Sequence, residues 1–376
     1  MRSLRKLTDE QKVFENVHVW LSAVVARSPF ADRCDPSYNR VHSKNKEGTL
    51  RRNVSFILFA FLLPVTLLAG SKTGYSYFVV GNSTDVATPT TAGTVLMGGG
   101  TDVDAAFQWM IGKSGGGDFV VIRATGTDAY NPYIYSLGTV DSVETLIITT
   151  RTGAADPFVV NKIRNAEALW IAGGDQSDYI NLWKGTPVQD AINYVANVKH
   201  APVGGTSAGL AVLSQFIYAG QLGSITSSQA LNDPFHRYMT LDRDFAQIAH
   251  LEGVIADPHF VTRDRMGRLI AFMARITTNG WASIVKGVGI DEQTAILMNP
   301  DGSSTRVGNG AVYFFTTPGP PQVCQSRTPL TYQNIAVYKV SGTATFNFAT
   351  WTGTGGTSYT VSANAGALSS SNGSIY

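Results

Sequence analysis

Cysteine is scarce in this chain of 376 residues, which contains only Cys34 and Cys324. A domain of this length can bury a sufficient core without disulfide bonds. Cys34 precedes the apolar run described below, so a chain cleaved after that run would keep one thiol and no disulfide. Cys324 lies in the segment PQVCQSRTP with no histidine near it, and we interpret it as an inert loop thiol.

Charged residues are also few, at 15% of the chain, and the formal net charge is only +2. Lysine and arginine are spread along the sequence and form no stripe of the kind that follows a phosphate backbone. We therefore expect no nucleic-acid partner. Because 44% of the residues are hydrophobic, the chain can bury a sizeable core and is not disordered.

The one long apolar run, residues 54–69, is shorter than the roughly 20 residues that span a bilayer. Two arginines precede it and a glycine and a serine follow it, which is typical of a signal peptide. The pattern predicts export to the periplasm or the outside, with no stable membrane insertion after cleavage; a membrane anchor is the alternative. Residues 1–49 are then either a polar extension or the result of a start assigned too far upstream.

Past this run, β-branched segments alternate with amphipathic segments of helix length, a pattern typical of βαβ units. It predicts a mostly parallel, doubly wound α/β sheet with flanking helices, which binds ligands at the carboxyl ends of its strands. Three glycine-rich turns, GGGTD, AGGDQSD and GGTSAG, follow predicted strands and should gather at that edge. The predicted strands are 76–80, 94–98, 119–123, 144–149, 168–172, 201–204 and 253–257, and the clearest predicted helices are 187–198, 209–218 and 263–276.

The pattern changes after residue 276, where glycine, serine and threonine become frequent. We predict a hairpin at 285–298, a strand at 310–316, and a small β appendage that ends in a loose tail at 369–376. The predicted organisation is a signal peptide at 50–70, a linker with a short strand at 71–93, a catalytic domain at 94–316, a proline-rich linker at 317–329 and the β appendage at 330–376.

Residues 205–209, GTSAG, match the nucleophile elbow, in which a tight turn from strand to helix exposes the serine hydroxyl. Ser207 is therefore the candidate nucleophile. The backbone N–H of Ala208, at the start of the following helix, could face a developing oxyanion. A structural glycine turn is the alternative interpretation of the same motif.

Only six histidines are available as a general base for this serine. His259 ends a predicted strand in GVIADPHF, which places it at the same sheet edge as the elbow, whereas His200 should lie at the opposite end. A structural histidine at the end of a strand is the alternative.

Arg263, Arg265 and Arg268 follow at the predicted start of a helix. Cations oppose the helix dipole there, so the cluster predicts a bound anion such as a substrate carboxylate. Alternatively, Asp257 and Asp264 neutralise the arginines locally.

Four motifs now carry a family resemblance: GGDQ at 173–176, GGTSAG at 204–209, D-x-H-F-x-x-R-x-R-x-x-R at 257–268 and GVGIDEQTA at 287–295. They resemble the cyanophycinases and related serine exopeptidases, whose fold is flavodoxin-like and similar to that of glutamine amidotransferases. The resemblance implies Ser207 as nucleophile and His259 as base, and a peptide or cyanophycin-like substrate without a metal or organic cofactor. It further implies an oxyanion hole formed by the amides of Gly174 and Ala208, and substrate-binding roles for Gln176, Asp257, Arg263, Arg265 and Arg268.

Two departures from the family pattern concern the substrate and the third member of the triad. Pro258 stands where cyanophycinases usually have glutamine. The family's chain order implies an acid between the serine and the histidine, and we rank Asp233 first. The alternatives are Gln229 as a neutral partner of the histidine, and Asp242, Asp244 or Glu252 as the acid.

Two functions are compatible with these features. The first is an exported peptidase that acts on cyanophycin or other β-aspartyl or acidic peptides. The second is a non-catalytic surface protein that reuses the fold and adheres through its β appendage. The joint presence of Ser207, His259 and the arginine cluster favours the first, while the sequence leaves open whether the chain forms a homodimer.

Overall fold

The computed structural model describes residues 73–376. The polar extension, the apolar run at 54–69 and Cys34 lie outside these residues, so export stays a prediction. Within the described range, no helix combines the length and hydrophobicity needed to cross a membrane.

The described chain forms a mixed α/β fold of short strands and helices. The strands are β1 (Tyr75–Gly81), β2 (Thr94–Met97), β3 (Asp118–Arg123), β4 (Ser142–Ile148), β5 (Ala168–Ile171), β6 (Val203–Thr206), β7 (Phe216–Tyr218), β8 (Leu241–Arg243), β9 (Val254–Asp257), β10 (Lys286–Ile290), β11 (Thr294–Met298), β12 (Ser303–Gly308), β13 (Val312–Thr316), β14 (Tyr332–Val340), β15 (Thr345–Asn347), β16 (Thr352–Thr354), β17 (Thr357–Asn364) and β18 (Ala367–Ser370). The α-helices are α1 (Asp104–Lys113), α2 (Tyr130–Ser136), α3 (Pro157–Asn165), α4 (Gln176–Trp183), α5 (Pro187–Asn197), α6 (Ala208–Leu213), α7 (Ser227–Asn232) and α8 (Met266–Thr278).

The strands form two sheets, where the sequence predicted one. The first has the order β1-β4-β3-β5-β6-β2-β11-β12-β15-β16, and its block from β4 to β2 is parallel, as the βαβ pattern predicted. The second has the order β18-β17-β14-β13-β10-β9-β7-β8. The carboxyl ends of β5, β6 and β2 are adjacent in the first sheet, so the three glycine-rich turns do gather at one edge.

Two local predictions fail because of the second sheet. The helix predicted at 209–218 ends at Leu213, and its last residues form β7, which pairs with β8 and β9. The hairpin predicted at 285–298 is not a hairpin: β10 lies in the second sheet beside β9, whereas β11 crosses to the first and pairs with β2. Both pairings join residues far apart in the chain, which local periodicity does not encode.

Side-chain alternation along the strands divides the core into layers. Val95 and Met97 of β2 pack with α1 on one face of the first sheet, while Leu96 points to the other face. That second cluster also contains Val254 of β9, so it lies between the two sheets. A third cluster covers the far face of the second sheet and contains Leu269 of α8. The two sheets therefore share one apolar cluster, to which helices α3, α4, α5 and α6 also contribute, while α1 covers the other face of the first sheet and α8 that of the second.

The C-terminal residues do not form the separate appendage that the sequence predicted. β14, β17 and β18 extend the second sheet beyond β13, while β15 and β16 extend the first beyond β12. The tail predicted to be loose packs back on the second sheet, where Ile375 and Tyr376 join its apolar cluster. Both sheets thus include strands from beyond residue 330.

Candidate active site

Ser207 stands on a sharp turn between β6 and α6. Its φ of +53° lies in the left-handed region that residues other than glycine avoid. Such backbone strain persists only where the surrounding structure enforces it, commonly at functional sites. Gly209 allows the turn, because a Cβ atom there would collide with the carbonyl oxygen of Ile171. The strand, turn and helix predicted for GTSAG are therefore present.

His259 reaches this serine from the second sheet. It follows β9, and its Nε2 atom lies 2.8 Å from Ser207 Oγ. The histidine is buried, with 5% of its surface exposed. The structure brings the two side chains together as predicted, but from two different sheets and not from one shared edge.

Glu292 completes a chain of hydrogen bonds. Nδ1–H of His259 donates a hydrogen bond to Glu292 Oε1 at 2.5 Å, which leaves Nε2 free to accept a hydrogen bond from the hydroxyl of Ser207. This is the arrangement in which a carboxylate orients an imidazole and the imidazole activates a nucleophile.

Strand register explains why Glu292 is there. β9 and β10 are parallel, with Asp257 opposite Gly289. Just beyond this pairing, the backbone N–H of Phe260 donates to the carbonyl oxygen of Ile290 at 3.1 Å, so the residues that follow β10 run beside His259, and Glu292 lies two residues after Ile290. The acid therefore comes after the histidine in the chain, in the GVGIDEQTA motif.

The prediction that Asp233 orients His259 is corrected by this geometry. Asp233 Oδ1 instead accepts hydrogen bonds from the backbone N–H groups of Phe235 and Arg327. The prediction assumed that the acid lies between serine and histidine in the sequence. Three of the alternatives also make other contacts: Gln229 closes a capping box with Thr226, Asp242 pairs with Lys184 and Asp244 with Arg243.

The end of β2 holds all three parts of this arrangement in place. Three successive carbonyl groups, those of residues 97–99, each accept a backbone N–H from a different part of the site: Met97 from Ser207 at 3.1 Å, Gly98 from His259 at 2.8 Å and Gly99 from Gln293 at 2.8 Å. Gly99 also lies against the imidazole, where a Cβ atom would collide with the ring. The GGGTD turn therefore fixes the nucleophile, the base and the segment that carries the acid.

The predicted oxyanion donors lie beside the nucleophile. Gly174 and Ala208 line the same cavity as Ser207, and a Cβ atom built at Gly173 would be 3.6 Å from the Cβ atom of Ser207. The hydroxyl of Tyr179 donates to the carbonyl oxygens of Ala172 at 2.8 Å and Gly173 at 3.2 Å, which fixes the turn after β5.

A cavity of about 290 Å³ opens in front of Ser207. Its wall includes every predicted substrate-binding residue: Gln176, Asp257, Arg263, Arg265 and Arg268. The side-chain amide of Gln176 donates to the carbonyl oxygen of Tyr218 at 3.1 Å, which fixes its orientation.

The three arginines differ in how they are held. Arg268 is buried and donates to both oxygens of Asp257, at 2.8 and 2.5 Å, and to the carbonyl oxygen of Ile225. Local neutralisation by Asp257 therefore holds for Arg268. Arg265 lies 3.3 Å from the same carboxylate, and the exposed Arg263 lies 3.7 Å from Glu292.

One carboxylate thus faces the buried Arg268 and the half-buried Arg265, which leaves positive charge at the cavity wall. Burial lowers the pKa of Arg265 to about 10; Asp257 opposes this change, and Arg268 and Arg263 add to it. A buried cation without full compensation is costly, so the cavity favours an anionic ligand.

Comparison with known proteins finds similar sequences over part of the chain. The sequence model of peptidase family S51 matches residues 129–305. The chain is 28% identical over 206 residues to a cyanophycinase of Nostoc sp., a match that covers 54% of this chain and 63% of that protein. A cyanophycinase of Geminocystis herdmanii is 27% identical over 185 residues, covering 49% and 62%. Over this region the chain is therefore similar to the cyanophycinase-like peptidases of family S51. It spans less than two thirds of the length of these curated relatives.

A solved peptidase from an acI-B1 Actinobacterium also aligns with the chain. It is 19% identical, with a TM-score of 0.43, and the alignment covers 60% of this chain and 91% of that structure.

The surroundings of His259 change the pKa of its imidazole. Burial lowers the pKa of His259 below its ordinary value, the hydrogen bond to Glu292 opposes that change, and the charges of Arg263 and Arg265 lower the pKa further. The imidazole is therefore neutral at neutral pH, which is the form that can accept the proton of Ser207.

Arg263→Gln is expected to move the acid limb of the pH–rate profile to higher pH. The charge of Arg263 disfavours the imidazolium, so its removal raises the pKa of His259 and the base becomes protonated at a higher pH. The measurement is kcat/KM, or the rate of serine labelling, against pH. Arg164→Gln is the matched control, since Arg164 stacks on Tyr194 away from the cavity. An unchanged acid limb in Arg263→Gln would show that the charge of Arg263 does not affect the pKa of His259.

Proposed function

We propose that this chain is a serine-type exopeptidase that hydrolyses cyanophycin or other β-aspartyl or acidic peptides through an acyl-enzyme. The observation that carries the proposal is the hydrogen-bond chain Ser207–His259–Glu292 at the mouth of an arginine-lined cavity. The name of the curated relatives, cyanophycinase, supports the choice of substrate.

In the first step, Ser207 Oγ attacks the scissile carbonyl carbon and its proton passes to Nε2 of His259. Throughout, Nδ1–H of the ring stays hydrogen-bonded to the Glu292 carboxylate, which remains ionised and stabilises the imidazolium. The amides of Gly174 and Ala208 stabilise the charge that develops on the carbonyl oxygen. The imidazolium then protonates the leaving amine.

In the second step, water replaces the amine. His259 removes a proton from this water, which attacks the acyl carbon and breaks the ester bond to Ser207. The imidazolium returns the proton to Ser207, so the enzyme is regenerated, and no step requires another reactant.

Substrate choice follows from the charge and size of the cavity. Arg265 and Arg263 present cations to a carboxylate, as expected for an aspartyl substrate. The volume of about 290 Å³ lies near the lower end of the range for small-molecule sites, about 300 Å³. A small terminal unit fits such a site better than a long polymer, which favours release of small peptides.

The test combines covalent labelling with hydrolysis by the purified protein. A serine-directed phosphonofluoridate should label the protein, and Ser207→Ala should abolish labelling. Cyanophycin should yield small peptides, whereas α-linked peptides should not be cut. Labelling without cyanophycin hydrolysis would overturn cyanophycin as the substrate and leave a reactive serine, to be tested next on other β-aspartyl and acidic peptides. Absence of both reactions would favour the non-catalytic surface protein.

We also propose that the peptidase is exported, on the basis of the apolar run at 54–69 and the residues that flank it. The mature chain is expected to begin near residues 70–74. Mass spectrometry of the exported protein measures this, and residues 1–49 still attached would contradict it.

A further inference from the structure

The segment that carries the base is strained at both ends. We call residues 258–265, which join β9 to α8, the base loop. His259 has φ +48° and Asp264 has φ +47°, both in the left-handed region. Residues other than glycine adopt such angles at a cost in free energy, and only where their surroundings enforce them.

The first half of the base loop is held by the loop that carries the acid. Asp291 Oδ1 accepts from the backbone N–H groups of Val261 at 3.2 Å and Thr262 at 3.1 Å, and from the hydroxyl of Thr262 at 2.9 Å. The same oxygen accepts from the N–H of Glu292 at 2.9 Å. Asp291 therefore ties the base loop to the acid.

The second half is held by Tyr376, which is distant in sequence. Its hydroxyl accepts from the backbone N–H of Met266, the first residue of α8, and donates to Asp264 Oδ1, both at 2.9 Å. Asp264, proposed above as a partner of the arginines, is thus engaged by a tyrosine at the point where the backbone is strained.

The ring of Tyr376 is fixed by aromatic contacts. It meets Phe260 edge to face, with ring centroids 5.8 Å apart, and Tyr313 at 6.0 Å. Phe260 is fully buried and is the neighbour of His259 in the chain. The hydroxyl of Tyr359 donates to the carbonyl oxygen of Ile375 at 3.0 Å, which anchors the preceding residue to β17.

We infer that Tyr376 is a positioning residue that holds the base loop, and with it His259 and Arg265, in the geometry needed for hydrolysis. This inference rests on the proposed function for its catalytic consequence. It assigns a role to a segment beyond the family match, which ends at residue 305. Tyr376 itself need not touch the substrate.

Tyr376→Phe tests the inference because it removes the hydroxyl and keeps the ring. Loss of its hydrogen bonds should lower the rate of Ser207 labelling by the phosphonofluoridate about 2- to 10-fold. Amide hydrogen exchange in residues 259–268 should become faster. The acid limb of the profile of labelling rate against pH should move to higher pH. A looser base loop lets Arg263 and Arg265 move away from His259 while Glu292 stays in place, so the pKa of His259 rises.

Tyr338→Phe is the matched control in the full chain. The hydroxyl of Tyr338 accepts a backbone N–H, that of Gly356, at 2.7 Å, in the same C-terminal segment but away from the base loop. This variant should keep the wild-type labelling rate, pH profile and exchange of residues 259–268, even if it melts at a lower temperature. Equal behaviour of the two variants in these three measurements would overturn the inference.

The exchange measurement separates failure of this inference from failure of the proposed function. If the wild-type protein is not labelled, the proposed function fails. Faster exchange of residues 259–268 in Tyr376→Phe would then still support its hold on the base loop. Unchanged exchange of residues 259–268 in Tyr376→Phe would overturn the inference that Tyr376 holds the base loop.

Discussion

Glu292→Gln is expected to lower kcat on the order of 10⁴-fold, the loss found when the acid of a catalytic triad is neutralised. Glu292 Oε1 accepts a hydrogen bond from Nδ1–H of His259 at 2.5 Å, and this contact leaves Nε2 free to accept the proton of Ser207. A glutamine can present an N–H group to the ring, which favours the tautomer that cannot act as base. The measurement is steady-state hydrolysis, in which KM should change little because Glu292 does not line the cavity.

Asp233→Asn is the matched control for this prediction. Asp233 binds backbone N–H groups, including that of Arg327, and an asparagine oxygen can keep at least one of these bonds. Its kcat should therefore stay within a few-fold of the wild-type value. A steep loss in Asp233→Asn together with an active Glu292→Gln would reverse the assignment of the acid.

Arg268→Met is expected to lower the free energy of unfolding by about 3 kcal/mol. Removal of one partner of a buried ion pair costs about 3–5 kcal/mol, because the other charge is left without compensation. Asp257 would lose both of its short hydrogen bonds, and only Arg265, at 3.3 Å, would remain near it. This residual partner places the effect at the lower end of the range. Chemical denaturation measures it.

Two variants show whether burial of the charge is the cause. Asp257→Asn combined with Arg268→Met removes both charges and should recover much of the lost stability. Arg263→Gln should change stability by no more than about 0.5 kcal/mol, since the Arg263 side chain is 55% exposed. Wild-type stability of Arg268→Met with a raised KM would show instead that Arg268 serves the substrate directly.

Local features of the sequence were sufficient to predict the nucleophile and the base. Ser207 lies in a five-residue motif whose glycines are needed for the turn itself, and six histidines left few candidates for the base. The parallel block of the first sheet was predicted for the same reason, since alternation of strand and helix is a local pattern.

The acid could not be placed in this way, although its motif was recognised. Glu292 meets His259 only because β10 lies parallel to β9. A hairpin at 285–298 would instead have turned at Glu292 and given β10 a different partner. Pairing between strands distant in sequence depends on how the whole second sheet assembles. The sequence of a short apolar run does not show which strand it pairs with.

The sequence by itself determined the family resemblance, the parallel core and the identity of two members of the hydrogen-bond chain, because each depends on a short motif or on periodicity. The tertiary structure decided that serine and histidine come from different sheets, that Glu292 is the carboxylate, and that Tyr376 returns to the base loop. These contacts join residues that are 52, 33 and 112 positions apart. Such contacts form only when strands pair and layers pack, and that is a property of the whole chain.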